Sequence, residues 1–166
     1  MVKPQDNLGF SIESRQQHID SAVSEGVVKY GKGIVYGSNI ADVKGTADEV
    51  TPQVKEFDGT DANAKFAGIA TDSTKPGLDD NQYNDKQSVS VLRKGIVMVE
   101  VDEAVEFGDQ VALMPSGNFG KQQVGGGTSG TYAINITDAQ FKSSGAAGDT
   151  VKLEINLPGA YEVVEL

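Results

Sequence analysis

Between Ser88 and Phe119 the chain reads SVSVLRKGIVMVEVDEAVEFGDQVALMPSGNF, and β-branched residues recur there at alternate positions. Val89 and Val91 alternate with Ser88 and Ser90. Beyond Arg93-Lys94-Gly95, Val97, Val99 and Val101 share one face, and Ile96, Met98 and Glu100 the other. Successive side chains of a strand point to opposite faces, so a period of two specifies sheet. β-branched residues suit that pleated surface. Gly95 ends a three-residue turn, and the segment is expected to form a hairpin.

The same grammar extends over most of the chain. Val27 to Tyr30 and Gly33 to Tyr36 are short apolar runs split by Gly31 and Gly33. Val50 to Phe57 reads as a strand, and Pro52 gives it an edge position because proline donates no ladder bond. Asp58-Gly59 signals a turn, and Phe66 to Ala70 is the return strand. Thr71 to Lys86 (TDSTKPGLDDNQYNDK) is rich in turn formers and reads as a long loop, with Tyr83 its single aromatic. Phe107-Gly108-Asp109 makes a corner into Val111 to Met114, and Pro115 to Asn118 turns into Phe119. Gly125 to Gly130 is a connector, Tyr132 to Ile136 a strand, and Asp138 to Asp149 a loop. Val151, Leu153, Ile155 and Leu157 alternate with Lys152, Glu154 and Asn156, the pattern of a half-buried strand. Pro158-Gly159 then turns the chain into Tyr161 to Leu166, expected to pair with it.

Ser11 to Glu25 differs: it is polar, with Ile12, Ile19, Ala22 and Val23 sparsely at helical spacing. It reads either as a short amphipathic helix or as an extended arm that orders against a partner. Two recurrences stand out, Gly-Asp-x-Val at Gly108 and Gly148, and Gly-Ile-Val/Ala at Gly33, Gly68 and Gly95. Without a fixed period they indicate β-corners rather than a solenoid.

Composition narrows the function. Glycine numbers 20 while aromatics make up only 7%, which suits a turn-rich all-β fold with a thin core. The net charge of −10 argues against a phosphate backbone or an anionic membrane as ligand. There is no cysteine, so disulfides, thiolate metal sites and thiol nucleophiles are excluded. The opening MVKPQDNLGF lacks an apolar signal-peptide run, so synthesis in the cytoplasm is expected.

Catalytic patterns fare poorly. A Ser-His-Asp triad would need His18, the single histidine, which lies far from any Gly-x-Ser-x-Gly. Asp79 to Asp85 collects oxygen ligands but misses the EF-hand spacing. Gly125-Gly126-Gly127-Thr128 lacks the Gly-Lys-Ser/Thr ending of a phosphate loop. Asp102, Glu103 and Glu106 form the nearest carboxylate cluster for a hydrolase, without aromatics to hold a sugar. The expectation is a protein with no catalytic residue, cofactor or metal.

Taken in order, Asp20 to Glu25, Gly26 to Tyr36 (GVVKYGKGIVY), Phe66 to Ala70, Ser88 to Gly95 and Ala104 to Val111 carry a resemblance. Over roughly Gly9 to Phe119 the chain resembles the structural cement, or head decoration, proteins of tailed bacteriophages. The resemblance implies a single antiparallel β-sandwich or jelly-roll-like barrel domain over 27–166, after an N-terminal arm or short helix over 1–26. It also implies a non-enzymatic role on the outer surface of an icosahedral capsid, bridging major capsid protein subunits, with self-association as dimer or trimer at symmetry axes. The interface candidates are Phe10, Ile12, Arg15, His18, Ile19 and Val23 of the N-terminal segment, together with Tyr83. A receptor- or glycan-binding surface module of a virion, using the Thr71 to Lys86 loop, is the alternative.

Overall fold

A computed structural model of the chain describes residues 8–9, 17–37, 52–72, 81–157 and 159–166. These residues form strands and no helix. The strands are β1 (His18–Ser24), β2 (Val28–Lys29), β3 (Gly33–Tyr36), β4 (Gln53–Glu56), β5 (Phe66–Ala70) and β6 (Gln82–Tyr83). They continue with β7 (Ser88–Glu100), β8 (Gln110–Leu113), β9 (Phe119–Lys121), β10 (Tyr132–Phe141), β11 (Thr150–Asn156) and β12 (Tyr161–Glu165).

Strand β7 organises the rest. The expected hairpin at Arg93-Lys94-Gly95 is instead one continuous strand of 13 residues. Its middle cannot fold back because its main chain is already paired: Lys94 and Gly95 lie opposite Asn156 and Ile155 of β11, and Lys94 also lies opposite His18 of β1. Gly95, with φ of +139°, absorbs the distortion inside the strand. Arg93 is an extra residue between the pairs His18–Lys94 and Ile19–Leu92, a β-bulge. The bulge changes which side chains point where. Val89 and Val91 enter one hydrophobic cluster, whereas Val97, Val99 and Val101 enter the other.

Before the bulge, β7 closes a barrel. Strand β1 pairs with β7 and, in parallel, with β4; β3 and β5 complete the ring β1-β4-β3-β5-β7. The β1–β4 pair is thus an exception to the antiparallel expectation. Ala22, Ile34, Val54, Ala67, Val89 and Val91 fill one cluster, joined by Val28, Tyr30 and Tyr83 from the small β2–β6 ribbon. Beyond the bulge, β7 continues through β11 and β10 to β8 and β9, and β12 joins the edge of β10. A bridge from Phe119 to Val101 brings β9 back to the end of β7. The observed architecture is therefore an all-β closed barrel with additional strands.

Several local expectations change for reasons of pairing. Residues 18–24 are strand rather than helix, because six main-chain pairs with β7 outweigh the sparse helical spacing. Strand β4 is internal, between β1 and β3, and Pro52 fits because it precedes the first strand residue. Strand β5 pairs with β3 and β7 rather than β4. Strand β12 pairs with β10 rather than β11, both of whose edges are taken by β7 and β10; Pro158 lies outside the described residues. Strand β10 runs on to Phe141, which is fully buried. Strand β11 follows its expectation, with Val151, Leu153, Ile155 and Leu157 buried.

The two recurrences also separate. Gly68 and Gly95 lie inside strands and are not corners. At Gly68 a Cβ would come within 2.5 Å of the Leu92 carbonyl oxygen, so glycine there permits close approach of β5 and β7. The Gly-Asp-x-Val motifs are true corners, and they are related by a local pseudo-two-fold. Val105 and Gly145 exchange both main-chain hydrogen bonds, at 2.9 and 3.0 Å. The Gly108 N–H donates to the Phe141 carbonyl at 2.9 Å, and the Gly148 N–H to the Val101 carbonyl at 2.7 Å. The Asp109 carboxylate accepts the Glu106 N–H at 2.9 Å, and the Asp149 carboxylate accepts the Ala146 N–H at 2.8 Å.

Two predictions follow from this arrangement of core and corner. Leu153→Asp should lower stability by at least about 4 kcal/mol, from lost packing and a buried carboxylate. Lys152→Asp, one residue away and exposed, should stay within about 0.5 kcal/mol. Urea titration of both variants checks the register. At the corner, the Glu106 N–H, with Lys121 alongside, holds the Asp109 carboxyl below the usual carboxylate range. A depressed folded pKa contributes stability above about pH 4 that is lost as pH falls through the lowered value. Asp109→Ala should cost about 1–2 kcal/mol at pH 7, and Asp109→Asn should flatten part of the acid limb in thermal melts across pH.

Candidate partner-binding surface

The interface candidates on β1 are brought to one strand. His18 is exposed, Ile19 is 47% exposed, and Val23 is half-buried. Alternation turns Ala22 and Ser24 inward and leaves Ile19, Ser21 and Val23 on the outer side. Opposite Ser21 and Val23 lie Ser90 and Ser88 of β7, so this stripe mixes apolar and small polar side chains without a charge. Phe10, Ile12 and Arg15 lie outside the described residues.

Tyr83 is placed differently. It is 1% exposed, with its ring edge-on to Tyr30 at a centroid distance of 5.1 Å. Its hydroxyl donates to the Thr71 carbonyl at 2.7 Å and accepts the Ser90 N–H at 3.3 Å. Burial raises its pKa above the ordinary phenol value. The polar residues around it in sequence concealed a core position, because the β2–β6 ribbon that covers it is a long-range pairing.

At one mouth of the barrel, Arg93 ties three strands together. Its guanidinium donates to the Tyr36 hydroxyl at 2.8 Å and lies 3.5 Å from the Asp20 carboxylate, which His18 also meets at 2.8 Å. A recess of ≈ 280 Å³ lies beneath, with Ala22, Val54, Ala67 and Val91 in its lining.

Of the carboxylates considered for hydrolysis, Asp102 and Glu103 serve as structural ties. Asp102 accepts the Ser116 hydroxyl and, at 2.8 Å, the Asn118 amide, which also reaches Glu100 at 3.1 Å. Lys32 donates to the Asn118 side-chain oxygen at 2.6 Å, completing a polar knot that holds the Ser116–Asn118 turn against β3. Glu103 accepts the Lys121 N–H at 2.8 Å and the Gln123 amide at 3.1 Å. Asp85 accepts the Gly26 N–H at 2.8 Å, while Asp79 and Asp80 lie outside the described residues. In the glycine connector, the Gly130 N–H donates to the Glu165 carboxylate at 2.7 Å, an acidic neighbour that disfavours phosphate. Among the described residues no group of three or more acidic, histidine or cysteine side chains could hold a metal.

Reasoning from the sequence missed the exposed apolar side chains outside β1. Phe107 is 67% exposed at the Gly-Asp corner, and Val124 is 92% exposed in the connector. The signal for Phe107 was present, since a large aromatic directly before a turn glycine has no strand face to enter.

Comparison with known proteins bears on what such a surface serves. No curated protein sequence matches the chain. Among solved structures, a chain from the capsid of Myoviridae phage XM1 has the same fold, with a TM-score of 0.64 and 19% identity over 90% of this chain and 89% of that one. The family model for the structural cement protein (E217 gp24/Pam3 gp6) matches residues 9–156. With that match spanning nearly all of the barrel and its added strands, the chain belongs to the structural cement protein family.

Proposed function

We propose that this chain is a capsid cement protein, made in the host cytoplasm and attached to the outer surface of an icosahedral phage head. There it bridges neighbouring major capsid protein subunits and stabilises the shell. The family match over residues 9–156 is the observation that carries this reading. The capsid origin of the XM1 chain that shares its fold adds support.

The physical features fit that task. Attachment to a repeated lattice multiplies modest contacts by effective concentration, so no single deep site is required. The net charge of −10 keeps free copies apart and soluble before assembly. The uncharged stripe of β1, with Ile19 and Val23, is one contact surface for the shell. Self-association as a dimer or trimer would match closed symmetric positions on the lattice.

Removing residues 1–26 is a poor test, because it deletes β1 and opens the barrel. A better test adds the purified chain to shells assembled from the major capsid protein alone. Saturable attachment and a raised temperature of shell disassembly are expected, since a ligand that binds only the intact state stabilises it. Ile19→Asp should keep the thermal midpoint of the free chain and weaken attachment roughly tenfold. Undiminished attachment of that variant would remove β1 from the contact, and failure of the unaltered chain to attach would remove the cement function itself.

A further inference from the structure

The duplicated corners contain an internal control. Both turns are built by the same bonds, and their glycines have φ of +92° at Gly108 and +85° at Gly148. The residues between bridge and glycine differ: Glu106-Phe107 in one corner, Ala146-Ala147 in the other. The second corner forms with alanine, so the turn itself does not need an aromatic. Phe107 nevertheless stands 67% exposed in water.

That exposure is on a rigid base. The Phe107 N–H donates to the Ser144 hydroxyl at 3.1 Å, and the flanking residues are held by Asp109 and by the Phe141 carbonyl. Lys142 lies 5.7 Å from the ring centroid and is itself paired with Glu154 at 3.0 Å. A large apolar side chain carried on a main chain that is already fixed needs no loop ordering on binding, which favours its use as an interface anchor.

We propose that Phe107 is a second shell contact, separate from β1, which inserts into an apolar socket of a capsid subunit. The inference rests on the cement reading above and deepens it, because bridging needs two contact surfaces on one molecule. Charge selects the partner. Glu106 is exposed beside Phe107 and has no ion pair among the described residues, whereas Asp109 is paired with Lys121. Two copies of this chain meeting through Phe107 across a two-fold would set their Glu106 carboxylates against each other. A socket on a different protein with a cation at its rim meets both the ring and the carboxylate.

The test uses full-length chain and shells of the major capsid protein. Phe107→Ala, which gives this corner the residue found at position 147, should leave the thermal midpoint unchanged and weaken attachment roughly tenfold or more. Glu106→Lys should also weaken attachment, by slowing association, and the loss should shrink as salt rises. Phe107→Ala with unchanged shell affinity overturns the proposal. Loss of self-association in sedimentation, with shell affinity per subunit retained, overturns it in favour of a second copy as occupant. If the unaltered chain fails to attach, the cement function falls and this inference with it; if it attaches and the variants match it, this inference alone falls.

Discussion

Strand β7 has its two halves committed to different partners, and the remainder of the molecule depends on that division. Its first half pairs with β1 and β5 and completes the barrel; its second half pairs with β11 and leads to the added strands. Backbone hydrogen bonds are obligatory once buried, so a strand with both edges occupied cannot slip without unpairing two neighbours. The bulge at Arg93 and the distorted Gly95 allow one strand to feed two differently oriented cores. Arg93 then turns this irregularity to use, reaching Tyr36 and Asp20 across the barrel mouth.

What the sequence disclosed was the local half of this arrangement. The alternation of Val97, Val99 and Val101 against Ile96, Met98 and Glu100 is the burial observed, as is that of Val151, Leu153 and Ile155. Alternation reports which face is buried, and it says nothing about which strand lies alongside. Arg93-Lys94-Gly95 has the composition of a turn, and only its distant partners His18, Ile155 and Asn156 keep it extended. The same limit applies to β12, assigned to its chain neighbour β11 although β10 held the free edge. Tyr83 was misplaced because its cover comes from Val28 and Tyr30, more than fifty residues earlier in the chain. On the candidate surface, the β1 residues were legible as a distinct polar segment. Phe107 was legible only from its place directly before a turn glycine, since one exposed aromatic has no period to reveal it.

The polar side chains that first suggested chemistry hold turns and strand ends in place. Asp102, Glu100, Asn118 and Lys32 bind one turn, Glu103 binds β9, and Asp109 and Asp149 build the paired corners. Hydrogen bonds from backbone N–H groups to ionised carboxylates are stronger than neutral ones, and so define turns and strand ends well. Carboxylates outnumber cations in the chain, 24 to 14. Many of them have main-chain donors as partners, which need no counter-charge.

A body organised in this way presents its surface residues in fixed positions. β1 is closed into a barrel on two sides, and the Phe107 corner is held by bonds from Asp109, Ser144 and Phe141. Association costs side-chain and loop ordering at every contact, and a cement protein incurs that cost at each of many lattice positions. Rigid presentation lowers it for every copy at once. The pseudo-two-fold shows what the fold requires here: the bonds that define a corner leave the two side chains between bridge and glycine free to differ. One corner carries alanines there, and the other carries a carboxylate and an aromatic ring. The two corners share the bridge, glycine and aspartate bonds, and differ in the side chains between them and in the Ser144 and Lys142 contacts that only Phe107 receives.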